Sequence, residues 1–316
     1  MPLPLLAEHD GLVTAVAAGV LRGREVVVSG DESGAVRWWD ATTGALVGRA
    51  EQDLPGPVRG VAIGDAGAAT LVAALDGDGF LTAWDAGSAV EELSCPYGAA
   101  FGPYFLPHRG RPAIVVATWW AVLAVDAVTG RSEELGDVRG RIGRPPDYYD
   151  ERDGHEGGMC RFTAAVVGGE PVWATSDLFS QYVWSGGRVR CTLTGGPGLE
   201  GTALGLGEVD GRAGVVNTDD AHGVWLHDAG SGAAVAGPLR GCGGEIVGVG
   251  LGPGAVVAAS RDGAVRRWAL DFTRSAVALP GAPAVARLPG APAALAVSPR
   301  TGRAWTAVGT TVVATA

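Results

Sequence analysis

The residues of this 316-residue chain best equipped for chemistry fall in two short stretches. One is Arg144-Pro145-Pro146-Asp147-Tyr148-Tyr149-Asp150-Glu151-Arg152-Asp153-Gly154-His155-Glu156, where carboxylates and an imidazole stand among tyrosines. The other is Asp219-Asp220-Ala221-His222. His155, Glu156, Asp219, Asp220 and His222 are of types that serve as general acids and bases or bind metal ions. Their arrangement argues against both uses. They sit in separate segments, no HExxH or GxSxG spacing occurs, and no glycine-rich phosphate loop opens a helix. Cys95, Cys160, Cys191 and Cys242 are scattered without CxxC spacing, which disfavours a zinc module. No catalytic residue, metal or cofactor is expected, and the balance leans away from an enzyme.

The elements that must carry these residues announce themselves as a repeat. Its clearest unit runs from Val26-Val27-Val28-Ser29-Gly30 through the turn Asp31-Glu32-Ser33-Gly34 into Ala35-Val36-Arg37-Trp38-Trp39-Asp40, with a second turn at Ala41-Thr42-Thr43-Gly44. The same grammar returns at Leu75 to Asp85 and at Ser260 to Ala269, and weaker copies end near Val125, Trp184, His227 and Ala314. With the tryptophan position as anchor, residues 39, 84, 125, 184, 227, 268 and 314 are 45, 41, 59, 43, 41 and 46 apart. A four-stranded propeller blade takes about 40–45 residues. Seven units result.

Each unit reads as short β-rich runs broken by Gly and Asp turns, without a 3.6-residue period. Runs such as Leu12-Val13-Thr14-Ala15-Val16-Ala17 are apolar on both faces, as a sheet sandwiched between two neighbours requires. The 52 glycines are expected to be turn residues.

The chain resembles the WD40-repeat family over essentially its whole length. Trp39-Asp40 and Trp84-Asp85 are the literal dipeptides, and the motif is strongest in units one, two and six. The resemblance implies a hydrogen-bond chain in each blade, from a His before the blade through a Ser or Thr to the Trp, anchored by a turn Asp. His9, Ser29 and Trp39 fit in unit one, with Ser33 at the Asp place. Asp78 and Trp84 fit in unit two, where Leu54 and Ala74 break the chain. Cys242 and Ala291 stand where later units would carry the His. The network is therefore expected to be mostly absent, leaving apolar packing to hold most blades.

The expected fold is all-β: one domain over residues 1–316, a seven-bladed β-propeller of four-stranded antiparallel blades. The last unit ends after its third strand, and Leu3 to Ala7 offers an unassigned strand at the other end. That N-terminal strand is expected to complete the seventh blade, which removes an exposed sheet edge. The 59-residue spacing places an inserted loop at about 136–161.

That loop shares a face with the turns between second and third strands, and in this family the face commonly binds partners. Long loops on rigid scaffolds are disproportionately functional, and Tyr and Arg are favoured interface anchors. Trp119-Trp120, Asp177-Leu178-Phe179 and Asp219 to His222 occupy neighbouring turns. The expected binding residues are Trp119, Trp120, Tyr148, Tyr149, Asp150, Arg152, His155, Phe179, Asp219, Asp220 and His222. Such an aromatic, acidic cup suits a cationic or amphipathic protein or peptide through cation–π and carboxylate contacts. The leading reading is a binding scaffold. The alternative is a small-molecule binder or enzyme using the channel mouth near His222, Asp219 and Trp120.

Charge narrows the partners. A net charge of −10 disfavours nucleic acid and anionic membrane surfaces. All 24 basic residues are Arg, which with abundant Gly and Ala reflects coding bias. The start, Met1-Pro2-Leu3-Pro4-Leu5-Leu6, is a poor signal peptide and no stretch approaches a membrane span, so a reduced, cytoplasmic setting is expected. Nothing in the sequence sets the oligomeric state.

Overall fold

A computed structural model describes residues 5–50, 52–66, 69–85, 88–89, 98–137, 159–177, 180–194, 203–209, 211–270 and 283–315. A strand β1 (Leu5–Glu8) precedes blade one, which comprises β2 (Val13–Leu21), β3 (Arg24–Asp31), β4 (Val36–Asp40) and β5 (Leu46–Arg49). Blade two is β6 (Val58–Ala66), β7 (Ala69–Asp76), β8 (Leu81–Asp85) and β9 (Ser88–Ala89). Blade three is β10 (Phe101–His108), β11 (Arg111–Ala117), β12 (Ala121–Asp126) and β13 (Ser132–Asp137). Blade four is β14 (Arg161–Val167), β15 (Glu170–Ser176), β16 (Gln181–Ser185) and β17 (Arg188–Thr192). Blade five is β18 (Leu204–Val209), β19 (Arg212–Thr218), β20 (Val224–Asp228) and β21 (Ala234–Leu239). Blade six is β22 (Ile246–Gly252), β23 (Ala255–Ser260), β24 (Ala264–Ala269) and β25 (Ala284–Arg287). Blade seven has β26 (Pro292–Val297), β27 (Ala304–Val308) and β28 (Thr311–Thr315), with β1 antiparallel to β28 through the pairs Leu5 with Val313 and Glu8 with Thr311. The protein is thus a seven-bladed all-β propeller.

Among the described residues, seven apolar clusters stabilise the ring, one between each pair of neighbouring blades. Trp38 joins blade one to blade two, and Trp173 and Trp184 join blade four to blade three. At the seam between last and first blades, Trp305 and Val312 pack with Val13, Val27 and Trp39. Second strands meet apolar surface on both sides, which is why Val26 to Asp31 and Ala255 to Ser260 are buried without interruption. The outer strands β5 and β25 are largely exposed.

Glycine has a second use here that the sequence reading did not assign. The innermost strands approach one another so closely that Gly19, Gly60, Gly64, Gly248 and Gly250 face the next blade directly. A Cβ on Gly250 would lie 2.7 Å from Cγ2 of Val297, and one on Gly60 would collide with the carbonyl oxygen of Gly102. Turn chemistry therefore explains only part of the glycine content.

Candidate functional site

Antiparallel blades divide the turns between two faces. The upper face carries the second-to-third-strand turns and the connections into each next blade; the lower face carries the remaining turns. The seven first strands line a central channel of about 720 Å³. Its wall is mostly small side chains such as Ala17, Ala62 and Ala294, with Arg59 and Arg161 at the end where those strands begin.

One arrangement has the geometry of a catalytic triad. His9 Nδ1 lies 2.7 Å from Asp31 Oδ2, and His9 Nε2 lies 2.7 Å from Ser29 Oγ. The indole N–H of Trp39 donates to that same Oγ at 2.9 Å. Burial, the largest influence, lowers the pKa of His9. Burial pulls the Asp31 carboxyl upward, but hydrogen bonds from Ser33, His9 and the Ala35 amide outweigh it and leave its pKa lowered. Ser29 and Asp31 are fully buried, so no substrate reaches the hydroxyl. The group ties β3, β4 and the preceding segment together.

This geometry corrects the sequence assignment. Asp31, not Ser33, anchors the histidine, and Ser33 donates its amide and hydroxyl to Asp31. The counterpart in blade two is Asp76, not Asp78, whose amide donates to Asp76 Oδ1. The network is also less depleted than expected. Trp184 donates to Thr175 Oγ1 at 2.9 Å in blade four. In blade five, His227 Nε2 lies 3.1 Å from Asn217 Oδ1, and the Asn217 amide donates to Gln181 of blade four at 2.7 Å. In blade six, Asp262 receives Arg266, whose guanidinium holds the carboxyl far below the usual range.

On the upper face, Thr118 shapes the turn of blade three: its Oγ1 accepts the amides of Trp120 and Ala121. The two tryptophans part company there. Trp120 packs against the cluster between blades three and four, whereas Trp119 is 40% exposed and stands edge-on to Phe101 at 5.4 Å. The Trp119 carbonyl accepts the Met159 amide at 2.7 Å. In blade two, Phe80 is 43% exposed at the turn position that Ala35 holds in blade one. Sequence reading passed over Phe80, although an aromatic at a small-residue position was the available signal.

The blade-five turn separates its two carboxylates. Asp219 is buried and accepts the Gly223 amide and, at 3.0 Å, the indole N–H of Trp225, with Arg240 at 3.6 Å. Its oxygens are committed to the turn. Asp220 is exposed, and His222 is half-buried in the left-handed region at φ 61°. Tyr148, Tyr149, Asp150, Arg152, His155 and Phe179 lie outside the described residues. Among the described residues, no group of three or more His, Cys, Asp or Glu could hold a metal ion. No described helix is long and apolar enough to cross a membrane.

No family model matches the sequence, and no curated protein matches it. Its fold is nevertheless shared with solved structures. The chain resembles the one reported as the structure of U3-55K at a TM-score of 0.72 and 16% identity, over 99% of this chain and 97% of that one. Likeness at that identity concerns the fold.

Proposed function

We propose that the chain is a binding module that presents its upper face to a protein or peptide partner. The observation that carries this reading is Trp119, 40% exposed at a turn that Thr118 shapes and edge-on to Phe101. Rigid aromatic side chains on a fixed scaffold supply contact area with little ordering cost, and they dominate interface energetics. Phe80 adds an exposed aromatic at the corresponding turn of the neighbouring blade, and Asp220 adds an exposed carboxylate on the same face. The partner segment that fits is amphipathic, with an apolar anchor beside a cationic side chain. The propeller fold and the WD40 resemblance support the same reading. The rival, a reaction at the channel mouth, has less support because Asp219 is committed to its own turn.

The test is partner recovery by affinity capture from a lysate, comparing wild type with Trp119→Ala, Phe80→Ala and Asp220→Asn. Arg22→Ala, at a lower-face turn, serves as control. Loss of a specific captured protein with the upper-face variants alone supports the assignment. Equal recovery by all variants overturns it.

A further inference from the structure

The lower face carries a second concave feature, unrelated to the proposed partner surface. It is a pocket of about 480 Å³ at the junction of blades six, seven and one, lined by Glu25, Arg267, Thr301, Gly302 and Arg303. Its floor is the turn between β26 and β27, which is closed by its own hydrogen bonds. Ser298 Oγ accepts the amides of Arg300 and Thr301, and the Ser298 carbonyl accepts the Gly302 amide at 2.9 Å.

Two half-buried arginines line this pocket from different blades. Arg267 donates to the Gly302 carbonyl at 2.6 Å, and Arg303 donates to the Ala41 carbonyl at 3.1 Å. Each carbonyl fixes one N–H and leaves the rest of the planar fork uncommitted among the described residues. Neither guanidinium has a carboxylate oxygen within 4.0 Å among the described residues. Arg37 and Arg266, also withdrawn from solvent, pair with Asp10 at 2.8 Å and Asp262 at 2.5 Å. Partial burial of an unpaired charge is unfavourable, so a site that holds two such charges in fixed orientation is prepared for an anion. Glu25, the acidic residue of the pocket, is turned to Thr301, whose hydroxyl donates to it at 3.0 Å.

We propose that this pocket binds a phosphoryl group. A phosphate presents three oxygens, enough to engage forks arriving from two sides, where a carboxylate presents two. Two guanidinium charges against the one carboxylate of Glu25 leave the pocket net positive, which favours a doubly charged ligand over a singly charged one. The pocket exceeds what one oxyanion fills, a water occupying about 30 Å³, so a phosphate ester fits with its substituent.

The experiment is isothermal titration of the full chain with inorganic phosphate, glycerol phosphate and acetate, at constant ionic strength set with chloride. Saturable binding of either phosphate, with acetate weaker by about tenfold or more, is the expected result. The inorganic and ester arms distinguish the free ion from an ester. Arg267→Gln and Arg303→Gln should each weaken binding by about tenfold. Glu25→Gln, which keeps the acceptor for Thr301, should tighten binding several-fold. That variant separates a ligand site from a mere staple between blades, since a staple predicts no change in phosphate affinity. Absence of saturable phosphate binding, equal acetate binding or an unchanged Glu25→Gln overturns the proposal.

Discussion

His9 Nδ1 and Asp31 Oδ2 lie 2.7 Å apart across 22 residues of chain, and the same separation in blade two joins Leu54 to Asp76. Leucine offers no hydrogen bond, and Oδ2 of the fully buried Asp76 has no partner among the described residues. Ala74 stands where Ser29 stands in blade one. Blade two keeps the two ends of the network, Asp76 and Trp84, while Leu54 and Ala74 replace its middle members.

Grafting the missing pair is therefore expected to be cooperative. Leu54→His alone leaves Nε2 facing Ala74, and Ala74→Ser alone supplies a hydroxyl without its imidazole. Together they complete the Asp–His–Ser–Trp chain seen in blade one, with Asp76 and Trp84 at its ends. A neutral hydrogen bond contributes about 0.5–1.5 kcal/mol net, and more to a charged group. A double-mutant cycle by denaturant unfolding should give a favourable coupling of about 1–3 kcal/mol, whatever the signs of the single variants. Additive single effects would show that blade two does not share the register of blade one.

Acid should weaken the ring in a defined window. The dominant influence on His9 and His227 is burial, which lowers both pKa values below 6.5. The unfolded chain then binds protons first, so their contribution is complete above pH 6.5 and declines as pH falls below it. The slope is at most about 1.4 kcal/mol per pH unit for each histidine. Asp31, lowered from 3.8, adds stability that is present above that value and lost only at stronger acidity. Thermal melts from pH 7.5 to 5 should show a decline, and His227→Gln should flatten it by about one histidine's share. A flat profile for the wild type would contradict the burial of these imidazoles.

The repeat was legible because four of the seven blades place a tryptophan at one register of the third strand, Trp39, Trp84, Trp184 and Trp268, and the other three keep the spacing with His227, Val125 and Ala314. Residues 39, 84, 125, 184, 227, 268 and 314 all fall in third strands, and even the His227 substitution keeps the polar contact. The Asp anchor was misplaced by two residues because Asp31-Glu32-Ser33 and Asp76-Gly77-Asp78 offer two polar candidates per turn. Only backbone geometry shows which one caps it. Trp119 and Trp120 are identical as letters, yet Thr118 turns the backbone so that one is exposed and the other packs inward. The close approach of first strands is a tertiary property with no local signal, and glycine there looks like glycine in a turn.

That close approach gives the sharpest stability contrast. Gly60 lies in β6 against Gly102 and Pro103 of β10, and an added Cβ would meet backbone, which has nowhere to move without separating two blades. Gly136 lies in β13, where the nearest atom to an added Cβ is Cζ3 of Trp184 at 3.6 Å, an ordinary contact. Neither glycine has a positive φ. Alanine therefore reduces the freedom of the unfolded chain equally at both sites, a gain of about 0.4–1 kcal/mol. Gly136→Ala should keep that gain and be neutral or slightly stabilising. Gly60→Ala should lose about 1–3 kcal/mol or more through overpacking. Gly250→Ala, facing Val297 Cγ2 at 2.7 Å, should fall between them, because a side chain yields more readily than a peptide oxygen. Urea unfolding midpoints in the order Gly136→Ala, Gly250→Ala, Gly60→Ala from most to least stable are the expected outcome. Equal midpoints would mean that the blades are not held at the separation these glycines permit.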